Sequence, residues 1–191
     1  MPEHLLEALA RLARSLRESS SIDQRAGVSA RFAIAAAEGV AASALRRSAR
    51  TADAPAVARV CDVPTVLPTL LGKLEFEMGE EGREADVVGH LLRVAVAETF
   101  RERLAGLDLS GFAELFAEGA TVETGELVPA QELLGQLDAV PGLSKVLDRL
   151  GHGDDANTGH VAAAVELVLE GMHLTRRIDK QLLDGRTVYG V

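Results

Sequence analysis

Apolar residues recur every three or four positions along most of this chain. Leu5, Leu9, Leu12 and Leu16 form one stripe, Phe32, Ala36, Val40 and Ala44 a second, and Val161, Val165, Val168 and Met172 a third. That spacing gathers each set on one face of a helix. Composition agrees, because 47% of the 191 residues are hydrophobic but only 3% are aromatic, and alanine, leucine, valine, glutamate and arginine dominate. Such a chain can bury a real core as one domain or two small ones. The expected fold class is mainly α: a helical bundle over residues 1–105, then a second small helical region over 106–191 with at most a minimal β-hairpin.

Helix boundaries follow from the punctuation. Pro2 suits a first turn and Ser19, Ser20 and Ser21 end the leucine stripe, so the first helix runs about Glu3 to Glu18. The second runs about Ala30 to Ser48, with small residues on its buried face. Pro55, Pro64 and Pro68 break the segment from Thr51 to Gly82 into two short helices. The polar turn Gly79 to Glu84 leads into a long helix to about Leu104, striped by Val88, Leu91 and Ala95. A short helix follows over Leu109 to Ala117. Thr121 to Val128 reads as a hairpin around Thr124 and Gly125. Pro129 and Pro141 start helices to about Leu137 and Leu150, a last helix spans about Thr158 to Leu183, and Thr187 to Tyr189 are extended. No repeat of solenoid type is present.

Charge and motifs exclude several functions. The formal net charge of −9 argues against general nucleic-acid binding, which positive charge drives. Yet Arg11, Arg14, Arg17, Arg25, Arg31, Arg46, Arg47 and Arg50 gather in the first fifty residues, a distribution suited to an anionic ligand or an acidic neighbour. Cys61 is the only cysteine, which excludes an internal disulfide framework and makes a reducing cytoplasm the natural setting. No apolar run reaches membrane-spanning length, and Met1 to Ala10 lacks the pattern of a signal peptide. GxxxxGK[ST], GxSxG, HExxH and paired CxxC motifs are absent.

Arg31 is the first candidate binding residue. Gly27 belongs to a polar turn, Ser29 suits an N-cap, and Arg31 then stands in the opening turn of the second helix. A cation there opposes the helix macrodipole by roughly 0.3–1 kcal/mol unless an anion shares the site. The alternative is a solvated arginine on an amphipathic helix. His152, Asp154, Asp155 and His160 are a metal-like set, although Gly151, Gly153 and Gly159 fit a solvated connector. His173 reads as a hydrogen-bonded packing residue. Glu75, Glu77, Glu80, Glu81 and Glu84 form an acidic run that reads as a solvated turn, with Lys73 available to pair with one of them.

Ser19 to Glu38 (SSSIDQRAGVSARFAIAAAE) and Leu71 to Arg103 (LGKLEFEMGEEGREADVVGHLLRVAVAETFRER) resemble the C-terminal part of magnesium-chelatase-like, MoxR-type AAA+ ATPases. The resemblance continues through Thr124, Gly125 and Glu126, Leu169 to Arg177 (LEGMHLTRR) and the closing TVYG. It implies an AAA+ lid-like helical domain over 1–105 and a C-terminal helical region over 106–191. Matched to the family's sensor 2 element, Arg31 is the arginine that approaches the γ-phosphate of ATP, with Gly27 and Ser29 shaping its turn; the role of Arg25 is unassigned. ATP and magnesium would be held by a separate P-loop domain that this chain lacks. The implied partners are that nucleotide-binding domain, neighbouring protomers of a homo-oligomeric ring and an unknown substrate protein, with no nucleic acid or membrane.

Two further readings compete with the lid. One is a free-standing helical interaction module that never meets nucleotide; the other is a metal-dependent helical enzyme around His152 and His160. The chain holds no self-contained active site of a recognisable kind, so an enzymatic role would come from the assembled ATPase.

Overall fold

The computed structural model describes residues 1–117, 119–137, 140–153 and 156–190. The chain is mainly helical, with one small three-stranded sheet. Helix α1 (Glu3–Glu18) buries Leu5, Leu9, Leu12 and Leu16 against α4 (Glu84–Arg103), so the leucine stripe is the α1 side of this pair. In α4 the deeper residue is Leu92 rather than Leu91, because the buried stripe runs Val88, Leu92, Ala95, Val96 and Phe100. Helix α2 (Ala30–Thr51) extends three residues past the expected Ser48 and stops at Ala52, which adopts a left-handed backbone at φ 58°.

The proline-rich segment folds as two 3-10 turns, Val60–Asp62 and Pro64–Val66, followed by the short helix α3 (Leu67–Leu71). Helix α5 (Ser110–Ala117) follows α4, and α6 (Ala130–Gly135) and α7 (Leu143–Arg149) pack against the last helix, α8 (Thr158–Leu174). Every residue of α8 from Ala162 to Met172 is buried, which makes it the axis of the molecule. Gly171 lets α4 approach it, since a Cβ there would stand 2.1 Å from Cγ of Phe100. The hydrophobic core is continuous from Leu5 to Tyr189.

Two expectations fail at the sheet. Residues 121–128 do not fold back on themselves; strand β1 (Val122–Thr124) pairs instead with β3 (Arg186–Gly190), which also pairs with β2 (Asp179–Leu183), giving the order β1-β3-β2 with both pairs antiparallel. The last helix ends at Leu174 rather than Leu183. Thr175 turns its hydroxyl back onto the Gly171 carbonyl, Arg176 takes φ 61°, and the apolar period lapses in the polar stretch that follows. Asp184 and Gly185, at φ 50° and 77°, then close the β2–β3 hairpin with the paired positive φ angles of a type I′ turn.

Candidate functional site

The turn before α2 is braced on three sides. Asp23 N–H donates to the Glu75 carbonyl at 2.9 Å and Glu77 N–H to the Ser21 carbonyl at 3.0 Å, around an isolated bridge between Ile22 and Phe76. Arg17 Nε donates to the Val28 carbonyl at 3.0 Å, while Val28 is buried beside it. Gly27 supplies the left-handed step at φ 68°. Ser29 occupies the N-cap position with extended backbone, but its hydroxyl makes no capping bond; the Phe32 N–H closes instead on the Ser29 carbonyl at 3.0 Å. Arg31 is the second helical residue and is exposed, with no ion pair or side-chain hydrogen bond among the described residues. Arg25 is held differently, by Asp23 at 2.8 Å. The corner thus presents one unengaged guanidinium on a fixed backbone at the positive end of a 22-residue helix.

A second constellation lies in the interior and was not singled out in the sequence. Asp62 is fully buried and accepts from Arg47 Nη2 at 3.0 Å, Arg47 Nε at 3.2 Å and the Arg59 backbone N–H at 2.8 Å. Arg47 also reaches Asp53 at 3.0 Å and the Val57 carbonyl at 2.6 Å. Arg59 donates through Nη2 to the carbonyls of Gly125 and Val128, at 2.9 and 2.7 Å, and Asp53 accepts from the Ala130 N–H at 2.9 Å. These bonds tie α2 and the 3-10 turns to the segment between β1 and α6.

Beyond Arg59, one face of the sheet and α8 enclose a cleft of about 430 Å³. Glu166 and Glu170, one helical turn apart on α8, form one wall; Thr124, Lys180, Thr187 and Tyr189 form the other. Glu170 Oε2 accepts from Lys180 Nζ at 2.6 Å and from the Tyr189 hydroxyl at 2.5 Å. Burial and the neighbouring Glu170 hold the Tyr189 phenol well above its ordinary range, and burial together with Glu166 does the same to the Cys61 thiol. Cys61 is therefore protonated and a poor nucleophile at neutral pH.

His152 and His160 of the metal-like set meet a third histidine. His152 and His160 stack with ring centroids 4.4 Å apart, and buried His4 of α1 meets His152 edge-on at 6.5 Å. Asp154 and Asp155 lie outside the described residues. Among the described residues, no group of three or more His, Cys, Asp or Glu side chains is arranged to hold a metal ion.

Neither ring nitrogen of His4 has a hydrogen-bond partner among the described residues. Burial, then His152, Arg103 and His160, lower its pKa to about 3 against the opposing pull of Glu7. The folded ring stays neutral where the unfolded ring, near 6.5, takes a proton. Between those values the unfolded state binds more protons, so stability falls as pH falls, by at most about 1.4 kcal/mol per unit. Replacing His4 by leucine is expected to flatten the acid limb of the stability profile between about pH 6 and 4, as read by urea unfolding at stepped pH. An unchanged slope would contradict this assignment.

Two of the remaining candidates, Glu80 and His173, make contacts within the chain. Glu80 accepts from the Ser21 hydroxyl at 2.8 Å and faces Arg83 at 3.6 Å, while His173 Nδ1 lies 3.3 Å from the Ile178 carbonyl. The buried charges did leave signals in the sequence. Arg47 continues the stripe of Phe32, Ala36, Val40 and Ala44 at the next helical step, and Glu166 and Glu170 interrupt the apolar helix α8 four residues apart. Among the described residues, no helix is long and apolar enough to cross a membrane. No protein-family model, curated protein or solved structure matches the chain.

Proposed function

We propose that this chain is the lid and following helical region of a chelatase-like AAA+ ATPase, and that Arg31 is its sensor arginine. The observation that carries the reading is the unengaged Arg31 guanidinium on a braced helix start. An arginine in the first turn of a helix is electrostatically disfavoured alone and favoured beside a phosphate. An exposed side chain on a backbone fixed by Ile22, Val28 and Gly27 fits a γ-phosphate presented by another domain. ATP would supply the phosphoryl group and magnesium would offset its charge, both held by a P-loop domain outside these 191 residues. Arg31 orients the terminal phosphate and stabilises charge on it. Residues 1–105 would act as the lid and 106–191 as the C-terminal region through which nucleotide state reaches neighbouring protomers of a ring and a substrate protein.

Hydrogen exchange on the complete ATPase tests this assignment. A non-hydrolysable ATP analogue is expected to slow exchange at the amides from Asp23 to Phe32, since phosphate contact quenches local opening of the turn. Slowing confined to the P-loop domain, with this segment unchanged, would contradict the sensor assignment.

A further inference from the structure

Three histidines from distant parts of the chain meet in one place. His4 lies in the first turn of α1, His152 follows α7, and His160 lies in the first turn of α8. His152 and His160 stack at 4.4 Å between centroids, and His4 meets His152 edge-on at 6.5 Å. His4 is 1% exposed, and both of its ring nitrogens and Nε2 of His152 are buried with no hydrogen-bond partner among the described residues. A neutral imidazole can fill such a place, but an imidazolium, with two N–H donors and no acceptor, is strongly disfavoured there.

The charges around the stack offer a His4 cation no free counterion. It faces Arg103 from α4, His152 from the connector before α8, His160 from α8 and Glu7 from its own helix. Glu7 is already shared between Arg11 at 2.6 Å and Arg103 at 2.5 Å, and Arg103 also takes Glu3 at 2.9 Å. Burial is the leading cause that lowers the pKa of His4 to about 3, and burial followed by His160 lowers that of His152. The turn that carries His4 is the weaker end of its helix. Pro2 stands at the N-cap with no side-chain capping bond, and the opening turn is closed by the Leu5 and Leu6 N–H groups on the Pro2 carbonyl at 3.2 and 3.3 Å. Further along, Leu9, Leu12 and Leu16 hold the rest of α1 on α4.

We propose that the His4–His152–His160 stack is an acid-released latch: protonation of His4 undocks the first turn of α1 from the other two rings while the rest of the helical core stays folded. Release uncovers Leu5 and frees Arg103 from Glu3, so a covered edge becomes an open and more cationic one. The open ring takes a proton near its ordinary 6.5 and the closed ring only near 3, so opening is favoured as pH falls. Between pH 7 and pH 5 the opening constant is expected to rise about 20- to 30-fold through His4 alone.

Hydrogen exchange of the full chain, corrected for the intrinsic pH dependence of amide chemistry and repeated in low urea, separates the latch from global unfolding. The amides of Leu6, Glu7 and Ala8 are expected to be less protected than those of Val165 to Leu169 in α8. They should also be nearly insensitive to urea, because opening one turn exposes little surface, and lose protection about 20- to 30-fold or more between pH 7 and pH 5. His4→Phe keeps an aromatic ring without a proton site and is expected to reduce that loss at least about tenfold. If His4→Phe does not fold, the urea and pH dependence of the native chain decides. First-turn amides that open only together with α8 and share its urea dependence, a loss below about threefold between the two pH values, or a loss that survives in His4→Phe would each overturn the proposal.

Discussion

Replacing Asp62 by alanine is expected to lower the unfolding free energy by about 3–5 kcal/mol, the loss typical of removing one partner from a buried ion pair. Asp62 is fully buried and serves two arginines at once, taking the Arg47 guanidinium side-on and the Arg59 backbone N–H. Alanine would leave Arg47 buried with only Asp53 and the Val57 carbonyl. It would also orphan the N–H that sets the entry of the first 3-10 turn. Since domain stabilities run about 5–15 kcal/mol, the variant would sit near its unfolding threshold.

Asp62→Asn keeps the shape and loses the charge, so it should fall between alanine and the native chain. Arg25→Ala, which removes an exposed pair, should stay within about 0.5 kcal/mol. Urea denaturation of the three variants checks the order, and a loss below about 1 kcal/mol for Asp62→Ala would show that the buried network contributes little.

Much of the helical framework was readable, and the reasons differ by element. The bounds of α1 follow from four leucines at strict spacing between Pro2 and a serine run, and α8 was visible as an apolar stripe from Val161. Its end was misplaced because Leu182 and Leu183 look helical by hydropathy, although Asp184 and Gly185 are a strong hairpin signal. The pairing of β1 with β3 joins residues more than sixty positions apart, and no local pattern specifies such a partner. Arg47 and Arg59 were hard to recognise because a buried arginine and a solvated one are the same letter. Only the stripe position of Arg47, and the acidic pair facing α8's sheet side, distinguish them.

The position of Arg31 was legible and its surroundings were not. The Ala30 helix start could be read from Ser29 and the alanine run, yet the brace from Glu75 and Glu77 to the turn depends on a segment fifty residues away. That brace distinguishes a guanidinium on a fixed backbone from one on a frayed helix end. The distinction matters energetically, since an arginine that must be ordered at the moment of use gives up part of its electrostatic gain to lost conformational freedom.

The central proposal is that Arg31 completes a nucleotide site held mainly by another domain, and steady-state ATP turnover of the ATPase proposed to contain this chain, carrying Arg31→Ala, tests it most directly. Removing one preorganised donor to transition-state charge typically costs about 10²- to 10³-fold in kcat. A loss of that size is expected for Arg31→Ala, with Arg25→Ala, whose side chain is engaged by Asp23, retaining turnover. Turnover by Arg31→Ala equal to that of the unmodified ATPase would contradict the sensor assignment.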